Sequence, residues 1–273
     1  MIPAAFDYVR ATTVDDVTAA LTEHGDDAKI LAGGMSLLPL MKLRLATPAV
    51  LVDVARVPDL SYIRDTGDDL TIGALTRHRD LETSDVLAQH SGVLRAVAAQ
   101  VGDNQVRHRG TIGGSVAHGD PASDLPAALL ALDATFVARS ARGERTITAA
   151  DFFRGFLETA LAADELLTEI HVPKTGPGGY SYQKFNRRAQ DWAIVGAVAV
   201  TNGTTRVGLV NMANTPLRAA AVEAALAAGE SIDDAAEHAA DGTDAPADLN
   251  ASPEYREHLA RVLVRRALTE AHT

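Results

Sequence analysis

Apolar residues recur along the chain with spacings that switch between helical and strand-like, and glycine supplies most of the punctuation. Thr13 stands three residues before Asp16, a capping-box spacing, and Val14, Val17 and Leu21 share one helical face up to Gly25, so a short helix is predicted over 13–24. Residues 28–32 read as a buried strand running into Gly33-Gly34; the apolar segment 37–45 follows, with Pro39 interrupting it or starting a helix. Further strands are predicted over 50–54, 60–64 and 70–74, the last two joined by a Gly67-Asp68-Asp69 turn. The apolar positions between Ser84 and Gly102 are mostly helically spaced, which predicts one helix over 84–101. Residues 109–114 read as a glycine-rich loop, 123–132 as a helix, 135–138 with 145–148 as a hairpin, and 165–172 as a strand.

The segment Pro173-Lys174-Thr175-Gly176-Pro177-Gly178-Gly179 opposes regular structure and is read as a linker between domains 1–175 and 176–273. Beyond it, strands predicted over 180–185, 193–201 and 205–212 precede helices predicted over 216–228, 232–240 and 253–271. Strands first and helices afterwards is the order of a small α+β domain.

Composition narrows the chemistry. A length of 273 residues suits one large domain or two modest ones, and 47% apolar with 22% charged residues excludes a disordered tail or a fibrous polymer. The net charge of −11, uninterrupted by a Lys/Arg stripe, argues against nucleic acid as a partner. The chain has no cysteine, so it supplies no disulfide, thiolate zinc site, cysteine nucleophile or cysteine-ligated iron–sulfur cluster. The opening MIPAAFDYVR lacks a basic-then-apolar pattern and the longest apolar stretch, 193–200, is too short for a bilayer span; a cytoplasmic protein is expected.

Two segments pair glycines with hydroxyls: Ala32-Gly33-Gly34-Met35-Ser36 and Thr111-Ile112-Gly113-Gly114-Ser115. Glycine lets backbone N–H groups wrap an anion, so either could hold a phosphate and both together a diphosphate. Paired glycines also mark ordinary turns, and neither segment has dinucleotide-fingerprint or Walker spacing.

The longer strings decide between these alternatives. KILAGGMSLLPLMKLRLATP (29–48), QVRHRGTIGGSVAHGDPASDLPAALLALDA (105–134) and YQKFNRRAQDWAIVGAVAV (182–200) together resemble the FAD-binding medium subunit of molybdenum hydroxylases, the family of the aerobic carbon monoxide dehydrogenase medium subunit and the xanthine dehydrogenase flavin domain. The resemblance implies an α+β fold: a vanillyl-alcohol-oxidase-type (PCMH-type) FAD-binding domain of two α/β lobes, then a small C-terminal domain of three-stranded antiparallel sheet plus helices. It places Ile30, Leu31, Ala32, Gly33, Gly34, Met35, Ser36 and Leu37, with Thr111, Ile112, Gly113, Gly114 and Ser115, around the FAD diphosphate, and Asp124, Leu167, Lys184 and Trp192 at further flavin contacts. The bland alternatives are a first-turn helix carboxylate for Asp124, a solvated strand lysine for Lys184 and core packing for Trp192. His118 stands close enough in sequence to the second glycine segment to contact the cofactor, but a hydrogen-bonded structural histidine is the expectation, without a metal-ligand set around it.

Three positions depart from the family pattern: Met35 for glutamine or histidine, Ser115 for asparagine and Gly119 for alanine. Met35 leaves only backbone contacts at its position. The resemblance further implies that substrate chemistry belongs to a large molybdopterin-binding subunit. A small subunit with two [2Fe-2S] clusters would relay electrons to this chain, which would pass them to an external acceptor within a heterohexamer. No catalytic or metal-ligating residue is expected in this chain; Arg107 and Arg109 are candidates to meet the iron–sulfur subunit. A stand-alone FAD oxidase or reductase and a non-redox nucleotide-binding or assembly module remain as alternatives.

Overall fold

A computed structural model describes residues 2–176 and 178–273; Pro177, at the centre of the predicted linker, lies outside the described residues. The first lobe runs β1 (Asp7–Arg10), α1 (Val14–His24), β2 (Ala28–Leu31), α2 (Leu37–Lys42) and β3 (Val50–Asp53). Its strands form a parallel sheet in the order β1-β3-β2, in which both Val9 and Ile30 pair with Val52. Helix α1 starts where the sequence says it should. Thr13 accepts from the Asp16 N–H while the Asp16 carboxylate accepts from the Thr13 N–H, and Val17 and Leu21 are buried against β3.

The second lobe contains β4 (Ile63–Asp65), β5 (Asp69–Gly73), the helices α3 (His78–Thr83), α4 (Asp85–His90), α5 (Gly92–Ala98), α6 (Asn104–Arg109), α7 (Ile112–His118) and α8 (Asp124–Ala131), then β6 (Thr135–Ser140), β7 (Gly143–Thr148), α9 (Ala149–Phe152), β8 (Phe153–Gly155), β9 (Glu158–Thr159) and β10 (Leu166–Pro173). An antiparallel sheet in the order β4-β5-β10-β6-β7 backs the helices. Two expectations change here. The single helix predicted over 84–101 breaks at Ser91, whose backbone leaves the helical region, and a Cβ on Gly92 would lie 2.5 Å from the Tyr180 hydroxyl. The glycine-rich loop predicted over 109–114 shrinks to Gly110-Thr111: Thr111 caps α7, and Gly113 and Gly114 are helical.

The remaining elements are β11 (Tyr180–Phe185), β12 (Val195–Asn202), β13 (Thr204–Val210), β14 (Leu217–Arg218), α10 (Ala220–Ala227), α11 (Ile232–Glu237) and α12 (Pro253–Ala271). The sheet is antiparallel in chain order, with the two-residue β14 added to the three strands that the pattern predicts. Along β12, Val198 and Val200 face the core of the second lobe, whereas Ala197 and Ala199 face the C-terminal helices. A strand buried on both faces explains the uninterrupted apolar run in the sequence.

Helix α8, buried at every position, is the wedge between the second lobe and this sheet. A Cβ on Gly208 of β13 would meet the Ala127 carbonyl oxygen at 2.4 Å, so the strand and helix touch through backbone. The described linker residues are pressed against structure: the Thr175 N–H donates to the His90 carbonyl, and Gly178 and Gly179 crowd the Thr201 and Ala271 carbonyls. Close approach, rather than an open tether, accounts for those glycines.

Candidate functional site

The first lobe, the second lobe and the C-terminal sheet meet around a cavity of about 650 Å3, inside the roughly 300–1,000 Å3 usual for small-molecule and cofactor sites. Strand β2 delivers one wall. Ile30, Ala32, Gly33, Gly34, Met35, Ser36 and Leu37 line it, while Leu31 turns aside and packs its side chain against Gly34. Gly34 has φ +72°, which a side chain would strain. The N–H groups of Gly33, Gly34, Met35 and Ser36 have no acceptor among the described residues, and such a run of free N–H groups is suited to an anion.

The second glycine segment plays a different part. Thr111, Gly113, Gly114 and Ser115 line the cavity, but the backbone donors of 112–115 are already used by Thr111 and by the segment that follows β5. Ile112 donates to Thr76, Gly113 to Ala74, Gly114 to the Thr111 hydroxyl and Ser115 to the Thr111 carbonyl. Ile112 itself is wholly buried in the second-lobe core and does not reach the wall. The two segments touch: a Cβ on Gly33 would fall 2.2 Å from the Arg109 carbonyl oxygen and 2.8 Å from the Gly110 Cα. One segment therefore supplies donors and the other a close-packed surface with two hydroxyls.

Asp124 of α8 and Lys184 of β11 meet in the wall. The Lys184 ammonium lies 2.8 Å from the Asp124 carboxylate and 2.9 Å from the Gln100 carbonyl oxygen, and the Tyr182 hydroxyl also donates to Asp124. Both charged side chains are buried, at 2% and 4% exposure, so Lys184 is no solvated strand lysine. Burial pushes the Asp124 carboxyl above the ordinary carboxylate range, against the pull of the Lys184 charge, and burial with the Asp124 charge pushes the Tyr182 hydroxyl well up. Asp124 also stands in the first turn of α8, as its helical alternative required. Leu167 of β10 lines the same cavity, and Trp192 stands in its wall 55% exposed, which removes core packing as its role.

His78, which the sequence reading did not single out, is part of the wall. Its ring lies behind Gly110, its Nδ1 is buried without a hydrogen-bond partner, and burial, with Arg107 adding to it, pushes its pKa down to about 4. A single histidine within an otherwise helical stretch carries no sequence signal of this kind. His118 lines the cavity half-buried, its side chain makes no hydrogen bond among the described residues, against the expectation, and burial lowers its pKa. The Arg107 guanidinium bonds Glu82, Asn104 and the carbonyls of Val101 and Gly102, while Arg109 is exposed.

A flavin dinucleotide fits these residues: free N–H donors for a diphosphate on one side, and a buried acid–ammonium pair with an accessible indole on the other. Comparison with known proteins agrees. Residues 4–175 match the family described as the FAD binding domain in molybdopterin dehydrogenase, and residues 180–271 match the CO dehydrogenase flavoprotein C-terminal domain. The chain is 41% identical to the carbon monoxide dehydrogenase medium chain of Afipia carboxidovorans, covering 99% of this chain and 98% of that one. It is 38% identical to the 6-hydroxypseudooxynicotine dehydrogenase complex subunit alpha of Paenarthrobacter nicotinovorans, covering 99% and 96%. The solved carbon monoxide dehydrogenase of Hydrogenophaga pseudoflava superposes with a TM-score of 0.96 at 41% identity, over 99% of this chain and 98% of that one. The chain belongs to the FAD-binding flavoprotein family of the molybdopterin dehydrogenases. It is the medium, FAD-binding type of oxidoreductase subunit found in molybdenum hydroxylases such as carbon monoxide dehydrogenase.

Proposed function

We propose that this chain is the electron-transfer flavoprotein of a three-subunit molybdenum hydroxylase. It accepts electrons from the [2Fe-2S] clusters of a small subunit and passes them to an external acceptor, while a large molybdopterin-binding subunit carries the substrate chemistry. The observation that carries the reading is the junction cavity, in which four free backbone donors and the Asp124–Lys184 pair face one space. A sequence without cysteine supports the division of labour, since the thiolate ligands of clusters have to come from a partner. We place the complete enzyme in the cytoplasm as a heterohexamer, two copies of each subunit; no helix among the described residues is long and apolar enough to cross a membrane. The division into domains 1–175 and 176–273 belongs to the same proposal, supported by the separate matches over 4–175 and 180–271.

FAD, when bound, supplies exchange between one-electron donors and one- or two-electron acceptors. The protein's own contribution is placement. The N–H groups of 33–36 hold the diphosphate, with Ile30, Leu37 and the Thr111 and Ser115 hydroxyls beside them. Gly113 and Gly114 leave room, and Leu31 and Ile112 shape the two segments from behind. Asp124 offers an acceptor and Lys184 a donor to the polar edge of the flavin, Leu167 an apolar contact and Trp192 a stacking face.

Affinity purification of the tagged chain from its native host tests the reading. The expected product is yellow, contains molybdenum and iron in partner chains, and reduces an artificial acceptor only with those chains present. An isolated chain that oxidises a small molecule by itself at comparable rates overturns the subunit role.

A further inference from the structure

Trp192 stands on the turn formed by residues 186–193, between β11 and β12, and the contacts that fix the base of this turn come from distant parts of the chain. Asn211, just after β13, is the principal one. Its side-chain amide donates to the Ala193 carbonyl at 2.8 Å and to the Ile194 carbonyl at 3.3 Å, while its backbone N–H donates to the Pro121 carbonyl at 2.9 Å. Arg256 of α12, wholly buried, adds a bond from Nη1 to the same Ile194 carbonyl, and the Ile194 N–H closes the strand pair on the Phe185 carbonyl at 2.8 Å.

Each property of the asparagine is used at this position. Its φ of +62° lies in the left-handed region, which asparagine tolerates better than most side chains. Its amide carries two N–H donors, and two carbonyls face it. Its backbone reaches the loop that continues through Ser123, the N-cap of α8, into Asp124. The exposed side of the turn is closed only by local contacts, the Arg188–Asp191 ion pair at 3.0 Å and the Asn186 amide on the Ala189 carbonyl at 3.3 Å.

We propose that Asn211 is a positioning residue of the cofactor cavity: it ties the Trp192 turn to the Pro121 loop, so that the indole and the Asp124–Lys184 pair are held in one fixed geometry. The proposal rests on the reading of this cavity as the FAD site. It names a residue of the C-terminal domain that does not line the cavity yet sets two of its walls.

Trp192 is the only tryptophan of the chain, so its fluorescence reports the turn directly. The test uses the full chain, wild type and two variants. Asn211→Gly keeps the positive φ and the backbone bond but deletes the amide. Asn211→Asp keeps the shape but sets an acceptor against two carbonyls. In FAD-free protein, both variants are expected to lower the Trp192 anisotropy and raise its quenching by acrylamide. Titration with FAD is then expected to give a Kd about tenfold above wild type, the loss of one to two hydrogen bonds' worth of preorganisation. Anisotropy and quenching equal to wild type in both variants overturn the proposal, as does a loosened indole with a Kd within about twofold of wild type. Loss of the fold in both variants also overturns it, in favour of a merely structural asparagine. A wild-type chain that takes up no FAD sinks the cofactor reading instead, and the FAD-free anisotropy still decides whether Asn211 holds the turn.

Discussion

Replacing Gly33 by alanine tests the contact on which the cavity depends. The added Cβ would lie 2.2 Å from the Arg109 carbonyl oxygen, 2.8 Å from the Arg109 carbonyl carbon and 2.8 Å from the Gly110 Cα, all of them backbone atoms. Ordinary contact begins near 3.4 Å, so the two segments must separate by about 1 Å, and no side chain can swing away to spare them. Overpacking of this kind costs about 1–3 kcal/mol of stability. On the proposed placement of FAD, the same displacement moves the 33–36 N–H groups away from the diphosphate. Hydrogen bonds to charged groups contribute about 1.5–3 kcal/mol each, so losing one weakens FAD binding roughly tenfold to hundredfold. The assay is titration of FAD-stripped protein followed by flavin fluorescence, beside a thermal melt. Gly143→Ala, where nothing lies within 4 Å of the added Cβ but the φ of +123° strains a side chain, controls for binding alone: it is expected to lower the melting temperature and leave FAD binding unchanged. A G33A chain that melts and titrates like wild type refutes the interlocked arrangement.

Because the His78 pKa falls from 6.5 in the unfolded chain to about 4 in the folded one, the unfolded state binds the extra proton between those values. Its contribution is therefore present above pH 6.5 and lost as pH falls towards 4, by about 3 kcal/mol in urea unfolding, and H78Q removes that part of the dependence. Lys184→Met leaves the buried Asp124 carboxylate without its cation and is expected to cost about 3–5 kcal/mol by chemical denaturation at pH 7; a cost below about 1 kcal/mol contradicts the buried pair. Gly208→Ala, aimed at the Ala127 backbone, is expected to destabilise by about 1–3 kcal/mol, well beyond Gly92→Ala, whose Cβ meets the movable end of the 40%-exposed Tyr180; equal melting temperatures refute the α8–β13 contact.

Much of this molecule is readable from local signals, and what is not readable has identifiable causes. Thr13 with Asp16, and Ser252 followed by Pro253, mark helix starts that need no tertiary help. The apolar run 193–200 already carries its two-sided burial. The break at Ser91 is different, since no glycine or proline stands at 91 to mark it, and the contact that favours glycine at 92 comes from Tyr180, far away in sequence. Glycines at 113 and 114 read as loop because propensity disfavours them in helices, yet the Thr111 cap and the close Ala74 backbone keep them helical. The short pairings β8–β9 and β14 lack enough residues to show a period.

At the site, the two glycine pairs are legible in the sequence as cavity-lining segments, but their unequal parts are not. Which backbone donors remain free depends on where β5 ends, and Thr76 and Ala74 occupy the donors of the second segment. Asp124 and Lys184 lie 60 residues apart, and only the packing of α8 against β12 and β13, beside β11, brings them together. His78 and Asn211 carry no motif because each acts through burial or through backbone carbonyls.

The most direct measurement is a crystal structure of the chain reconstituted with FAD. The diphosphate is expected within hydrogen-bonding reach of the N–H groups of Gly33–Ser36, with the flavin ring system between Trp192 and the Asp124–Lys184 pair. A dinucleotide bound elsewhere, or one whose phosphates leave those four donors bonded to water alone, would contradict this placement.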